Sequence, residues 1–110
     1  MTAYIVFQRE RTDDQEALDR YAARADATFD GHDVQALVDY GAYEVLEGPP
    51  VEGVVVLAFP DRAAAKAWYS GDAYQEVVKD RFRGATYRAV LVDGVEDAGV
   101  EDAGVEDAGA

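Results

Sequence analysis

The chain has no cysteine. That excludes disulfides, thiolate metal ligands and a cysteine nucleophile. Its one histidine is His32, so carboxylates would have to supply the remaining ligands of any zinc or iron site. Basic residues are scarce: ten Lys and Arg stand against 23 Asp and Glu, for a net charge of −13. That balance argues against a nucleic-acid backbone or an anionic membrane surface as partner. No apolar run approaches the length of a membrane span. The N-terminus lacks a basic segment followed by a long apolar one, so no secretory signal is read and the expected compartment is the cytoplasm. The glycines are dispersed rather than gathered in a phosphate-cradling loop. Neither a Gly-x-Ser-x-Gly elbow nor a His-Glu-x-x-His segment occurs. No cofactor and no metal is expected.

What the chain does have is strands that are apolar on both faces. Tyr4-Ile5-Val6-Phe7, Val54 to Phe59 and Ala89-Val90-Leu91-Val92 do not alternate cleanly between apolar and polar. A sheet with one solvated face alternates. Two helices can cover one face of a small four-stranded sheet. The simplest cover for the other face is a second copy of the same sheet, so a homodimer is expected.

The elements succeed one another in a simple order. Ala3 to Arg9 reads as a first strand, and Thr12 with Gln15 three residues later reads as a capping box opening a helix. Leu18, Tyr21, Ala22, Ala25 and Phe29 recur at helical spacing and form its buried stripe. A second strand is expected within Gln35 to Glu47, interrupted by a bulge near Tyr40-Gly41-Ala42. Gly48-Pro49-Pro50 forces a turn, and Gly53 to Phe59 is the third strand. Asp61 caps a second helix, which Ser70-Gly71 breaks; Ser70 can cap the continuation, with Tyr74, Val77, Val78 and Phe82 as its apolar stripe. Ala85 to Asp93 is the fourth strand. The order βαββαβ predicts a ferredoxin-like α+β domain over residues 1–94: a four-stranded antiparallel sheet with its helices on one face.

Residues 95–110 repeat Val-Glu-Asp-Ala-Gly, a period that suits neither a helix stripe nor a strand face. They are expected to form a solvated, acidic low-complexity tail. The last fifteen residues hold six acids and no base, and without them the net charge falls from −13 to −7.

Several residues together resemble one family. They are Glu47-Gly48 before the proline turn, Phe59-Pro60, Ala65 and Ala67 leading to Trp68-Tyr69-Ser70, then Tyr74, Arg81 and the closing Leu91-Val92-Asp93-Gly94. In this combination the chain resembles the family known as domain of unknown function 1330, over about residues 3 to 94. The resemblance implies a dimeric α+β barrel, in which two ferredoxin-like protomers stack their sheets. The wider superfamily it resembles includes cofactor-independent monooxygenases, muconolactone-type isomerases, cyclases and haem-degrading enzymes. One departure stands out: members usually carry a double glycine between the first helix and the second strand, where this chain reads Gly31-His32-Asp33-Val34.

Four residues are candidates for catalysis. His32 can act as a general base near neutral pH, or be a plain loop histidine. Glu47 ends an apolar strand face, where a carboxyl can become an acid or base of raised pKa; it can equally bond turn amides or pair with Arg81. Tyr69 can present a hydroxyl to a ligand. Arg81 can clamp a ligand carboxylate with its planar fork, or form a salt bridge to Glu47, Asp72 or Asp80. Tyr4, Trp68 and Tyr74 are candidates for ligand contact, although a large aromatic such as Trp68 more commonly serves a core or an interface. Three functions are compatible with these residues. One is a cofactor-independent isomerase, cyclase, lyase or monooxygenase acting on a small apolar or aromatic metabolite between sheet and helices. The others are a non-catalytic small-molecule binder or accessory dimer, and a purely structural dimer.

Overall fold

A computed structural model describes residues 1–95. The repeats expected to form an acidic tail lie, from Glu96 onward, outside the described residues. The elements are β1 (Ala3–Thr12), α1 (Gln15–Ala25) with a 3-10 turn (Asp26–Phe29), β2 (Gln35–Asp39), β3 (Gly53–Phe59), α2 (Arg62–Tyr69), α3 (Asp72–Gly84) and β4 (Ala85–Asp93). The strands form one antiparallel sheet in the order β2-β3-β1-β4, the ferredoxin-like arrangement expected from the element order.

The helices lie on one face of this sheet. Strand side chains alternate between faces, and the register puts Ile5, Phe7, Leu57 and Phe59 together under the helices. These residues pack with Ala65, Trp68, Tyr74, Val77 and Val78 as the core. Each large apolar side chain buried this way contributes roughly 1.5–3 kcal/mol. The opposite face carries Tyr4, Val6, Val54, Val56 and Ala58, all half-buried, with Val38, Val90 and Val92 exposed. Strands apolar on both faces are thus present, and in the single chain one face stays open.

Local chemistry sets the boundaries, and several differ from expectation. The first strand runs on to Thr12 through an irregularity between Arg9 and Arg11. Thr12 therefore does not cap α1. Its hydroxyl donates to Glu52 Oε1 at 2.5 Å, and Asp14 caps the helix by accepting from the Glu16 and Ala17 amides. Ser70 ends α2 rather than capping α3, and Gly71 holds the N-cap position of α3 without a side-chain bond. Asp61 caps α2 as expected, accepting from Ala64 N at 2.8 Å. The second strand stops at Asp39, with its irregularity between Ala36 and Val38 rather than at Gly41. Tyr40 takes a left-handed φ of 57° and leads into a loop without regular structure to Glu52.

Candidate functional site

Between α1, its 3-10 turn and the sheet lies a cavity of about 350 Å³. Small side chains create it. Ala22 and Ala25 on α1 and Ala36 on β2 face space that a larger residue would fill. The apolar and aromatic part of its wall is Phe7, Val55 and Leu57 from the sheet, Leu18 and Phe29 from the helical side, and Trp68 from α2. The stripe expected on the first helix therefore lines a cavity as much as it fills a core. Trp68 is fixed by stacking against Tyr74 at 4.1 Å between ring centres, and its indole N–H donates to Thr28 Oγ1 at 3.0 Å.

Arg81 reaches this cavity from the last turn of α3 and is only 3% exposed. It occupies the fourth place of the stripe Tyr74, Val77, Val78, Arg81, whose other members are buried apolar side chains. The expected stripe member Phe82 points outward, 61% exposed. None of the ion pairs among the described residues includes Arg81. Asp80 is instead held by Arg20 and Arg24. The Arg81 guanidinium carbon lies over the rings of Phe7, Phe82 and Tyr87 at 5.2, 5.2 and 4.7 Å, and Nε has no hydrogen-bond partner among the described residues. A desolvated cation–π contact is worth about 2 kcal/mol. Removing an ion from water costs several kcal/mol. The three rings together are of the same order as that cost, but they supply no hydrogen-bond acceptor and no opposite charge to the guanidinium. The second arginine of the cavity, Arg9, lies 3.4 Å from Glu52 and over the Tyr40 ring.

Two pairs of phenols complete the polar part. The Tyr21 and Tyr74 hydroxyls are 2.7 Å apart, and the Tyr40 hydroxyl bonds to that of Tyr87. A hydroxyl pair uses one proton internally and leaves the second for another acceptor. Burial raises the pKa of Tyr21, Tyr40 and Tyr74; the Arg81 charge opposes the rise at Tyr21 and Tyr74. These phenols are donors at neutral pH, not bases. Gly53 makes room for Tyr40, because a Cβ there would run into the Tyr40 ring. Asp19, Asp26 and Asp39 are exposed carboxylates on the cavity wall.

The candidates read from the sequence do not all converge. Arg81 and Trp68 line the cavity, and Tyr74 adjoins it through its bond to Tyr21. Tyr69 lies beside a separate depression between α2 and β4. His32 is half-buried after the 3-10 turn, its amide donating to Phe29 O, and does not line the cavity. Glu47 is exposed in the β2–β3 loop, and Tyr4 is on the open sheet face. Tyr21, Tyr40 and Tyr87 are site residues that sequence reasoning misses. Tyr87 is within its reach, since it shares strand parity with Ala89 and Leu91 on the helix side. Among the described residues no group of His, Asp or Glu is arranged to hold a metal ion, and no helix is long and apolar enough to cross a membrane.

The family described as domain of unknown function (DUF1330) matches residues 2–95. No curated relative matches the chain. Among solved structures, a protein of unknown function from Rhodopseudomonas palustris is 20% identical, with a TM-score of 0.66 over 86% of this chain and 83% of that one. SnoaB, a cofactor-independent oxygenase from Streptomyces nogalater, is 11% identical, with a TM-score of 0.59 over 86% and 94%. A dimeric ferredoxin-like protein of unknown function from Jannaschia sp. CCS1 is 17% identical, with a TM-score of 0.59 over 86% and 100%. At these identities the likeness is one of fold.

Proposed function

This chain belongs to the family described as domain of unknown function 1330, and from that premise we propose that each protomer of a homodimer binds and transforms a small apolar or aromatic metabolite without a cofactor. The observation that carries this reading is the cavity, with a largely apolar and aromatic lining and the phenols of Tyr21, Tyr40 and Tyr87 in its wall. Its 350 Å³ is within the range of small-molecule sites, about 300–1,000 Å³. A cavity of about 150 Å³ can already hold benzene, so a ligand of one or two rings fits. A space of this size also speaks against a purely structural dimer.

The chemistry suited to such a site is isomerisation, cyclisation, lyase cleavage or oxygenation of an activated substrate. Neutral phenols held in place stabilise an oxygen that gains negative charge during reaction. The wall carboxylates Asp19, Asp26 and Asp39 are the groups available to accept a proton. SnoaB, named as a cofactor-independent oxygenase, supports the reading as an analogy of fold. The open apolar sheet face and the dimeric ferredoxin-like neighbours support the homodimer.

A second reading, a non-catalytic binder or accessory dimer, draws support from the positions of His32 and Glu47 away from the cavity. Conversion distinguishes the two, and Ala22→Trp tests whether the cavity is the site, because Ala22 is exposed on α1 and lines it. Aromatic metabolites are incubated with chelator-treated protein and followed by calorimetry and mass spectrometry. Conversion that A22W abolishes supports the enzyme. Binding without conversion, also blocked by A22W, supports the binder. Binding that A22W leaves intact puts the site elsewhere.

A further inference from the structure

We infer that the cavity selects ligands with a single carboxylate head, and that Arg81 is the residue that recognises it. This rests on the cavity being a ligand site, and it goes further by naming the charge and shape of the ligand. The first support is that the described residues hold no counter-ion for Arg81. Arg81 is 3% exposed, belongs to no ion pair among the described residues, and has an Nε without a hydrogen-bond partner. This is unusual in a chain with 23 acids, where a carboxylate partner is easy to supply. Arg20 and Arg24 share Asp80, the acid adjacent to Arg81 in sequence.

The second support is geometry. Rings of Phe7, Phe82 and Tyr87 lie against the guanidinium, so ligand oxygens reach it through its in-plane N–H groups. Those groups form a fork that matches two oxygens in one plane. The Tyr87 ring against Arg81 also carries the hydroxyl bonded to Tyr40, so a phenol pair stands beside the cation.

The third support is the charge of the wall. Asp19, Asp26 and Asp39 are exposed and line the same cavity. One negative charge carried inward meets Arg81. A second one left near the wall meets these carboxylates and is repelled, while the Arg9 charge is already offset by Glu52. The apolar surface of Val55, Leu57 and Phe29 takes the body of the ligand. The class is therefore an apolar or aromatic monoanion, rather than a neutral hydrocarbon, an amine or a dianion.

The test uses the full chain and three probes: benzoate and benzamide, of nearly equal shape, and terephthalate, which adds a second carboxylate at the far end of the ring. Binding is followed through the Phe7, Tyr87 and Arg81 Nε–H signals in nitrogen–proton correlation spectra. The expected result is that benzoate binds at least about tenfold more tightly than benzamide, as a charge-assisted pair of hydrogen bonds implies. Terephthalate binds more weakly than benzoate. Arg81→Met removes the preference, and it raises the melting temperature of the ligand-free protein, because an apolar side chain replaces an unpaired buried charge. Arg81→Lys keeps the charge without the fork and reduces the preference, a control that stands if the Met variant fails to fold. Equal binding of benzoate and benzamide would overturn the carboxylate assignment and leave the cavity as a ligand site. Failure of all three probes to shift cavity signals at millimolar concentration would overturn both. A ligand-free R81M variant less stable than the parent would show that Arg81 serves the fold.

Discussion

At the scale of single residues, the phenols give the sharpest expectations. Burial holds the hydroxyls of Tyr21, Tyr40 and Tyr74 in their neutral form, with folded pKa values above the unfolded value of about 10. The unfolded chain thus loses these protons at lower pH than the folded one. Their contribution to stability is complete below about pH 10 and declines as the pH rises toward the folded values. Denaturant titrations between pH 8 and 11, with tyrosinate absorbance followed in parallel, should show constant stability and then a fall, with these phenols ionising as the chain opens. Tyr74→Phe should cost about 1–2 kcal/mol, since it leaves the Tyr21 hydroxyl without its partner. The double variant Tyr21→Phe with Tyr74→Phe should lose little more, which a thermodynamic cycle measures. The inward position of Arg81 is legible in the sequence. A charged residue at the fourth place of the stripe Tyr74, Val77, Val78 marks a cation aimed inward, and the helical spacing shows that without coordinates. Tyr40 is not legible, because its position depends on a left-handed φ of 57° and on the missing side chain of Gly53.

At the scale of elements, long periodic segments are readable and their ends are not. The third and fourth strands start and stop where the pattern places them, because glycines and prolines bound them. The second strand is shorter than its pattern. The alternation continues past Asp39, but pairing with β3 ends there as the chain turns at Tyr40. Thr12 has the local spacing of a cap, yet the β1–β4 ladder extends to Thr12 and passes the capping role to Asp14. Tertiary pairing outweighs a local signal in both cases. The close approach of α1 to the end of α3 needs one small residue. The carbonyl of Gly84 accepts from the amides of Asp13 and Asp14 at 2.7 and 2.9 Å. A Cβ on Gly84 would lie 2.8 Å from Leu18 Cγ and 2.9 Å from Leu18 N. Gly84→Ala should therefore push the two helices apart and cost about 1–3 kcal/mol, measurable by urea unfolding.

At the scale of the molecule, the two faces of one sheet have separate duties. Phe7, Val55 and Tyr87 look into the cavity, while Val6, Val54 and Val56 look the other way. The open face is the feature most legible in the sequence, because a strand apolar on both sides has to be covered twice. Light scattering at micromolar concentration should report twice the chain mass. Val56→Glu, on the half-buried open face, should give a folded single chain, checked by circular dichroism. A wild-type particle of one chain mass would remove the homodimer. The chain also carries a single tryptophan, and it stands in the cavity wall, 2% exposed, stacked on Tyr74. All indole emission of the protein therefore arises beside the proposed ligand. Excitation at the red edge of its absorption reads that one position without any attached dye, so a library of metabolites can be screened by fluorescence quenching alone.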